Sequence, residues 1–324
     1  MHRSIKTAAL IAGLTLTLSG GALAQQDYPN RTIRGLTTSS AGGISDIFLR
    51  ALGEELTKRW GQTFIVENRP GGAQNNGTKA CSDAPPDGYT VCIINADPLV
   101  YNQFLIKNMP FNPETVVQPV TNLFNLIQNL AVNSELKVKT VDELVALSKA
   151  KPKTLSYLTA SMPLAIYMES LVKEKGADWV RVPFRGGGQA LNAVLQGSTP
   201  ISLIGEANVK SSIDAGKITP LAMVNNIKSP FYPDVPTLAE TGYKGAPSQA
   251  WYGIFVPPGT PRPIVDKLNK EIHAIISDAG FRDRHLTQRS LIPALNTPEQ
   301  FDAEIKRDRA DAEKLMKGAG IEPQ

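Results

Sequence analysis

The sequence predicts an α/β protein built on mostly parallel sheets. Three observations lead there. Strand-like and helix-like segments alternate along the chain. Its 324 residues suffice for about two domains around a large core. Its composition, 42% hydrophobic and 20% charged, excludes a disordered, collagen-like or disulfide-scaffold protein.

Residues 32–38 read as a first strand, followed by the flexible loop Ser39-Ser40-Ala41-Gly42-Gly43. A helix is predicted over 45–60, because Phe48, Leu52, Leu56 and Trp60 recur at i, i+4 on one face and Gly61 stops it. Residues 63–67 form a second strand broken by Pro70-Gly71, 73–82 a helix, and 90–95 a buried strand. Thr140 and Glu143 make a capping box, in which hydroxyl and carboxylate each satisfy an orphan backbone donor. The helix they open ends near Lys149, before Pro152. Strands at 154–158 and 179–184 flank a helix at 163–175. Arg185-Gly186-Gly187-Gly188 is a second glycine-rich loop, with its helix at 189–196. Strands at 201–205, 218–224 and 251–256 precede a helix at 263–277. Thr297 and Gln300 make a second capping box with Pro298 at the first helical position, and that helix ends near Gly318.

The N-terminus reads as a secretory signal: Arg3 and Lys6, a short apolar run from Ala8 to Leu18, then Ala22-Leu23-Ala24 as a cleavage site, predicting a mature start at Gln25. Of 34 basic residues, the loss of Arg3 and Lys6 leaves 32 against 30 acidic, so half of the +4 net charge belongs to the targeting segment. The rest of the chain lacks the ~20 uninterrupted apolar residues of a membrane span. Without a concentrated basic face or rich aromatics, a nucleic-acid role is not expected.

Cys81 and Cys92 are the two cysteines, too few for a zinc site by themselves. They form either a small-loop disulfide across the turn Pro85-Pro86-Asp87-Gly88 or two buried thiols. No GxSxG, HExxH, EF-hand or Walker motif is present, and Leu191 breaks the GxGxxG pattern begun at Gly186. His273 and His285 read as packing or surface residues, and Glu54-Glu55 as a solvated pair. Neither a catalytic set nor a metal or cofactor is expected.

Each half of the chain thus repeats one unit: a strand, consecutive glycines, a helix. Glycine lets backbone N–H groups turn outward, and a helix start adds free N–H groups and a partial positive charge. Alone, either loop is an ordinary βα turn; together they can grip one anion from two sides.

Ile33, Arg34, Ala41, Gly42, Gly43 and Asp46 match, without a gap, the opening I-R-x-V-V-P-F-A-A-G-G-x-x-D of the Bug family, the receptors of tripartite tricarboxylate transporters. Glu67-Asn68-Arg69-Pro70-Gly71 is similar to the family's E-N-R-P-G, and Pro86-Asp87-Gly88-Tyr89-Thr90 to its P-D-G-Y-T. Val182-Pro183-Phe184-Arg185-Gly186 resembles V-P-Y-[KR]-G, and Pro233-Asp234-Val235-Pro236-Thr237 with Glu240 and Gly242 resembles P-D-V-P-T-x-x-E-x-G. Trp251-Tyr252-Gly253 resembles W-[FY]-G, and Pro257-Pro258-Gly259-Thr260-Pro261 resembles A-P-A-G-T-P with Pro for Ala. The ordered set spans almost the whole mature chain.

The resemblance implies a periplasmic, two-lobed binding protein of the Venus-flytrap kind, closing on a small organic carboxylate in an interdomain cleft and handing it to membrane permease subunits. The expected domains are 25–122 with 228–324, and 123–227, the chain crossing between them near 122–128 and 225–229. A monomer is expected. The carboxylate site carries over to Ser40, Ala41, Gly42 and Gly43 facing Gly186, Gly187 and Gly188, with Asp46 capping its helix. Arg185 either steers the anion or is a surface side chain.

The chain departs from the family where P-F becomes Thr38-Ser39 and the first Ala becomes Ser40. Losing the pocket-lining Phe widens the pocket and adds hydroxyls, which points to a dicarboxylate, specifically a flat aromatic diacid of the terephthalate type. Thr159 and Ser161 are candidates for its far end, with Met162 as an adaptable wall. Asn95, Asp97 and Tyr101 follow the third strand; Asp97 faces either the cleft, where it repels a carboxylate, or solvent. Two other readings remain: a sensor for a membrane signalling partner, and an isomerase or lyase using Asp97 with Glu206 as acid and base.

Overall fold

The structure, a computed structural model, describes residues 28–159, 161–182, 187–224, 227–247 and 250–324. The targeting segment, Arg185 and Gly186 lie outside the described residues.

The chain starts with strand β1 (Ile33–Thr37) and helix α1 (Ile44–Trp60), followed by β2 (Phe64–Asn68). Helix α1 buries Phe48, Leu49, Leu52 and Leu56 and ends on Gly61 at φ 67°, whose N–H reaches Thr57 O. Helix α2 (Asn75–Ser82) is shorter than the predicted 73–82, because Ala73 (φ 51°) and Gln74 (φ 73°) turn left-handed and detach a 3-10 turn. Strand β3 (Thr90–Asn95) is buried throughout. The Cys81 and Cys92 sulfurs are bonded, tying α2 to β3.

After β3 the chain enters a π turn, Asp97–Tyr101, and short helix α3 (Asn102–Leu105). Then come β4 (Gln118–Leu126) and, one residue later, β5 (Gln128–Asn133). Sequence reading missed α3, β4 and β5. Pro119, Asn122 and Asn125 look like turn signals, but the buried Asn122 Nδ2 donates to the Glu304 carboxylate at 3.1 Å and 3.2 Å, a partner 182 residues away.

Helix α4 (Val141–Ala150) is capped by Thr140, which accepts from the Glu143 amide at 3.1 Å; the Glu143 carboxylate takes the Lys139 amide instead of completing the box. Next come β6 (Leu155–Leu158), α5 (Met162–Lys175), β7 (Trp179–Arg181), α6 (Gly187–Leu195), β8 (Ile201–Gly205), α7 (Glu206–Asp214) and β9 (Ile218–Met223). The chain closes with β10 (Trp251–Val256), α8 (Arg262–Ser277), α9 (Ala279–His285), β11 (Leu291–Pro293) and α10 (Pro298–Ala319). The capping box of Thr297 and Gln300 is complete, and Gly320 rather than Gly318 ends the helix.

Two sheets result, ordered β11-β4-β10-β3-β1-β2 and β7-β6-β8-β5-β9. They are mixed rather than mostly parallel. Strands β1, β2 and β3, and likewise β6, β7 and β8, run parallel through helical crossovers. The strands joined across the two sheets pair antiparallel: β10 with β3 and β4, and β5 with β8 and β9. The chain passes from the first sheet to the second at Ile127. Helices α1 and α8 pack one core on the first sheet, α5 packs another on the second, and Phe301 of α10 sits against Trp251 and Phe255. Among the described residues no helix is long and apolar enough to cross a membrane.

Candidate functional site

A cavity of about 500 Å³ lies between the two sheets, within the roughly 300–1,000 Å³ range of small-molecule sites. The C-terminal ends of parallel strands from both sheets supply its wall: Asn95 at the end of β3 and Asp97 just after it, Leu158 and Thr159 at β6, Gly205 at β8. In open α/β sheets the connecting loops at those ends leave the crevice where ligands bind. Ala190 of the first turn of α6 brings that helix N-terminus to the same space, and Trp251 and Tyr252 close the side formed by β10.

Of the residues singled out from sequence, Asn95, Asp97, Tyr101, Thr159 and Ser161 line the cavity. Thr159 is buried and accepts the Ser161 amide at 3.2 Å; Ser161 caps α5 by accepting from Leu164 N at 3.4 Å. Both hydroxyls are therefore partly committed to holding the start of α5. Asp97 Oδ2 accepts from Asn95 Nδ2 at 3.1 Å and Gln74 Nε2 at 3.4 Å. Burial pushes its carboxyl up, partly offset by the Asn95 hydrogen bond. Burial also raises the hydroxyls of Tyr101 and Tyr252, with the Asp97 charge adding to both.

The first glycine loop is not in the cavity wall. Ser40, Ala41 and Gly42 are exposed. Gly42, at φ 80°, donates its N–H to Asp46 Oδ2 at 2.8 Å, and Gly43 donates to Ser40 O at 3.1 Å. Two of the supposed anion donors are thus spent inside the loop, leaving the amides of Ser40 and Ala41 without a protein partner among the described residues. The Ser39 hydroxyl is likewise held by Ser45 Oγ at 2.7 Å and Thr37 Oγ1 at 3.3 Å. Asp46 reaches back to the loop as the third helical residue, while Gly43 occupies the N-cap itself.

In the second loop, Gly187 and Gly188 form the first turn of α6 instead of preceding it. Their N–H groups belong to the unsatisfied set of a helix start. Glu206 stands apart from the cavity. It is fully buried, its Oε1 accepts from Ser229 Oγ at 2.9 Å, and desolvation raises its carboxyl. The acid/base pair of Asp97 with Glu206 is therefore not assembled in the cavity, because Glu206 has no surface there. His273 contacts Thr121 Oγ1 at 3.0 Å and His285 packs on Phe281, both away from it.

Sequence reading missed Gln74, Trp251 and Tyr252 as cavity residues. Gln74 gave a weak signal through the glycines before it, but its left-handed backbone and its reach to Thr38 and Asp97 emerge only on folding. Among the described residues no cluster of His, Cys, Asp and Glu is suited to a metal.

The family model described as "Tripartite tricarboxylate transporter family receptor" matches residues 48–319. The chain belongs to this family. Relatives of this receptor include BugT of Bordetella pertussis, 26% identical over 316 residues covering 96% of this chain and 95% of BugT. A Cupriavidus necator protein from the gbd 5' region is 29% identical over 95% of this chain and 94% of its own. Among solved structures, an R. palustris protein with adipate aligns at TM-score 0.78 and 26% identity over 92% of this chain and 100% of its own. The periplasmic binding protein BugD aligns at TM-score 0.75 and 28% identity over 92% and 100%. The receptor thus has the two-lobed α/β fold of periplasmic solute-binding proteins.

Proposed function

We propose that this receptor captures a small organic carboxylate in the cavity between its sheets and presents it to the membrane permease of a tripartite tricarboxylate transporter. The observation that carries the reading is the convergence of strand ends from both sheets, with the start of α6, on one cavity of about 500 Å³. The lobes divide at Ile127, between β4 and β5, rather than at the expected 122/123, because residues 123–126 belong to β4 of the first sheet; with the second crossing near 227/228, they close on the ligand by a hinge where β4 runs into β5. The chain acts as a monomer after export and cleavage behind Ala24.

The first glycine loop lies outside the cavity wall in the structure, so closure of the lobes is what brings the free amides of Ser40 and Ala41 onto the ligand carboxylate, opposite those of Gly187 and Gly188. Hydrogen bonds to a charged group contribute roughly 1.5–3 kcal/mol each and a helix N-terminus about 0.3–1 kcal/mol, so no metal is needed. Adipate in the R. palustris relative supports the acid class. The replacement of the family's Phe by Ser39 supports a wider body, up to an aromatic diacid of the terephthalate type. Thermal unfolding with a panel of aliphatic and aromatic acids tests this. At least one acid raises the midpoint; if none does, the receptor does not bind carboxylates, and if compact aliphatic acids alone do, the wide-body reading fails.

A further inference from the structure

One wall of the cavity is mismatched to a plain diacid. Asp97 is the one carboxylate among the described lining residues, and no lysine, arginine or histidine accompanies it. A second ligand carboxylate placed there meets a like charge.

The hydrogen bonds around Asp97 define what it lacks. Its Oδ2 takes both neighbouring amides, Asn95 Nδ2 at 3.1 Å and Gln74 Nε2 at 3.4 Å. Gln74 is oriented by Thr38, whose hydroxyl donates to Oε1 at 2.9 Å. Asp97 Oδ1 has no partner among the described residues. Asn95 is 9% exposed, and its Oδ1 is buried with no partner either. Reversing the Asn95 amide offers no relief, since it sets oxygen against the Asp97 carboxylate. Two acceptors, one of them a carboxylate oxygen, are thus left open in a wall that also includes Tyr101, Trp251 and Tyr252. The orphaned buried Asn95 oxygen is costly, and a carboxylate oxygen in a wall with no basic side chain is satisfied by one common group, an ammonium, which brings three donors and no acceptor.

We propose that the ligand is a zwitterionic amino acid whose ammonium docks between Asp97 Oδ1 and Asn95 Oδ1. This rests on the cavity being the solute site and narrows the carboxylate class stated above.

Calorimetric titration of the mature chain with matched acids tests it: adipate against α-aminoadipate and ε-aminohexanoate, and terephthalate against para-aminomethylbenzoate. At least one amino acid is expected to bind about tenfold or more tightly than its parent diacid. Asp97→Asn erases that preference. Asn95→Leu, which removes the second acceptor, reduces it too and serves where Asp97→Asn does not fold. Tighter diacid binding in every pair, or a preference unchanged in the folded variants, overturns the inference and leaves the carboxylate reading standing. Binding of none of the acids overturns both.

Discussion

The Asp46 carboxylate accepts the Gly42 amide at 2.8 Å, so the protein's own anion already fills one donor of the first glycine loop. The same carboxylate takes Asn68 Nδ2 at 2.9 Å and pairs with Arg50 at 2.9 Å. Burial pushes this carboxyl up, but the hydrogen bonds from Arg50, Gly42 and Asn68 together outweigh it and hold it below the usual range.

Asp46→Asn is therefore expected to cost about 1.5–3 kcal/mol at neutral pH. Because the folded pKa lies below the unfolded value near ~3.9, the Asp46 contribution is complete above that value and disappears as pH falls through the folded pKa. Urea unfolding of both proteins across that range checks it: the gap closes on the acid side. A gap independent of pH means the ionised carboxylate is not what holds the loop.

Gly187→Asp puts a negative charge in the first turn of α6. An acidic residue there suits the helix dipole, so the melting temperature stays close to wild type. Ligand binding, measured by titration with whichever acid stabilises the wild-type protein, is abolished. Unchanged affinity removes this loop from the site.

Gly253, the last residue of the Trp251-Tyr252-Gly253 motif, lies in β10 under the Phe301 ring, and an added Cβ meets that ring inside contact distance. Phe301 is fully buried against Trp251 and Phe255 and has little room to yield. Gly253→Ala is expected to cost about 1–3 kcal/mol by overpacking, and Phe301→Leu in the same chain recovers part of it. Chemical denaturation of the single and double variants reads both effects.

The Cys81–Cys92 bond closes a loop of sequence separation 11, and both residues are fully buried. Replacing the pair with alanine removes about 3 kcal/mol of unfolding free energy, since the unfolded chain regains the loop entropy. With the sulfurs shielded, thiol reagents are expected to react at the rate of unfolding. Rapid labelling of the native reduced protein shows otherwise.

Local signals in the sequence determined much of this protein. Helix spans, the stop at Gly61, the cap at Thr297 and the buried run of β3 follow from spacing and capping chemistry that act within a few residues. The ordered motifs likewise marked the family before any coordinates. Tertiary structure alone decided the rest. It made Asn122 a strand residue by supplying Glu304, buried Glu206 against Ser229, and turned Gln74 toward Asp97. It also spent the Gly42 and Gly43 amides within their own loop. For Asn122 and Glu206 the physical reason is the same: a buried polar group must find a partner, and which partner it finds depends on chain segments that meet only on folding.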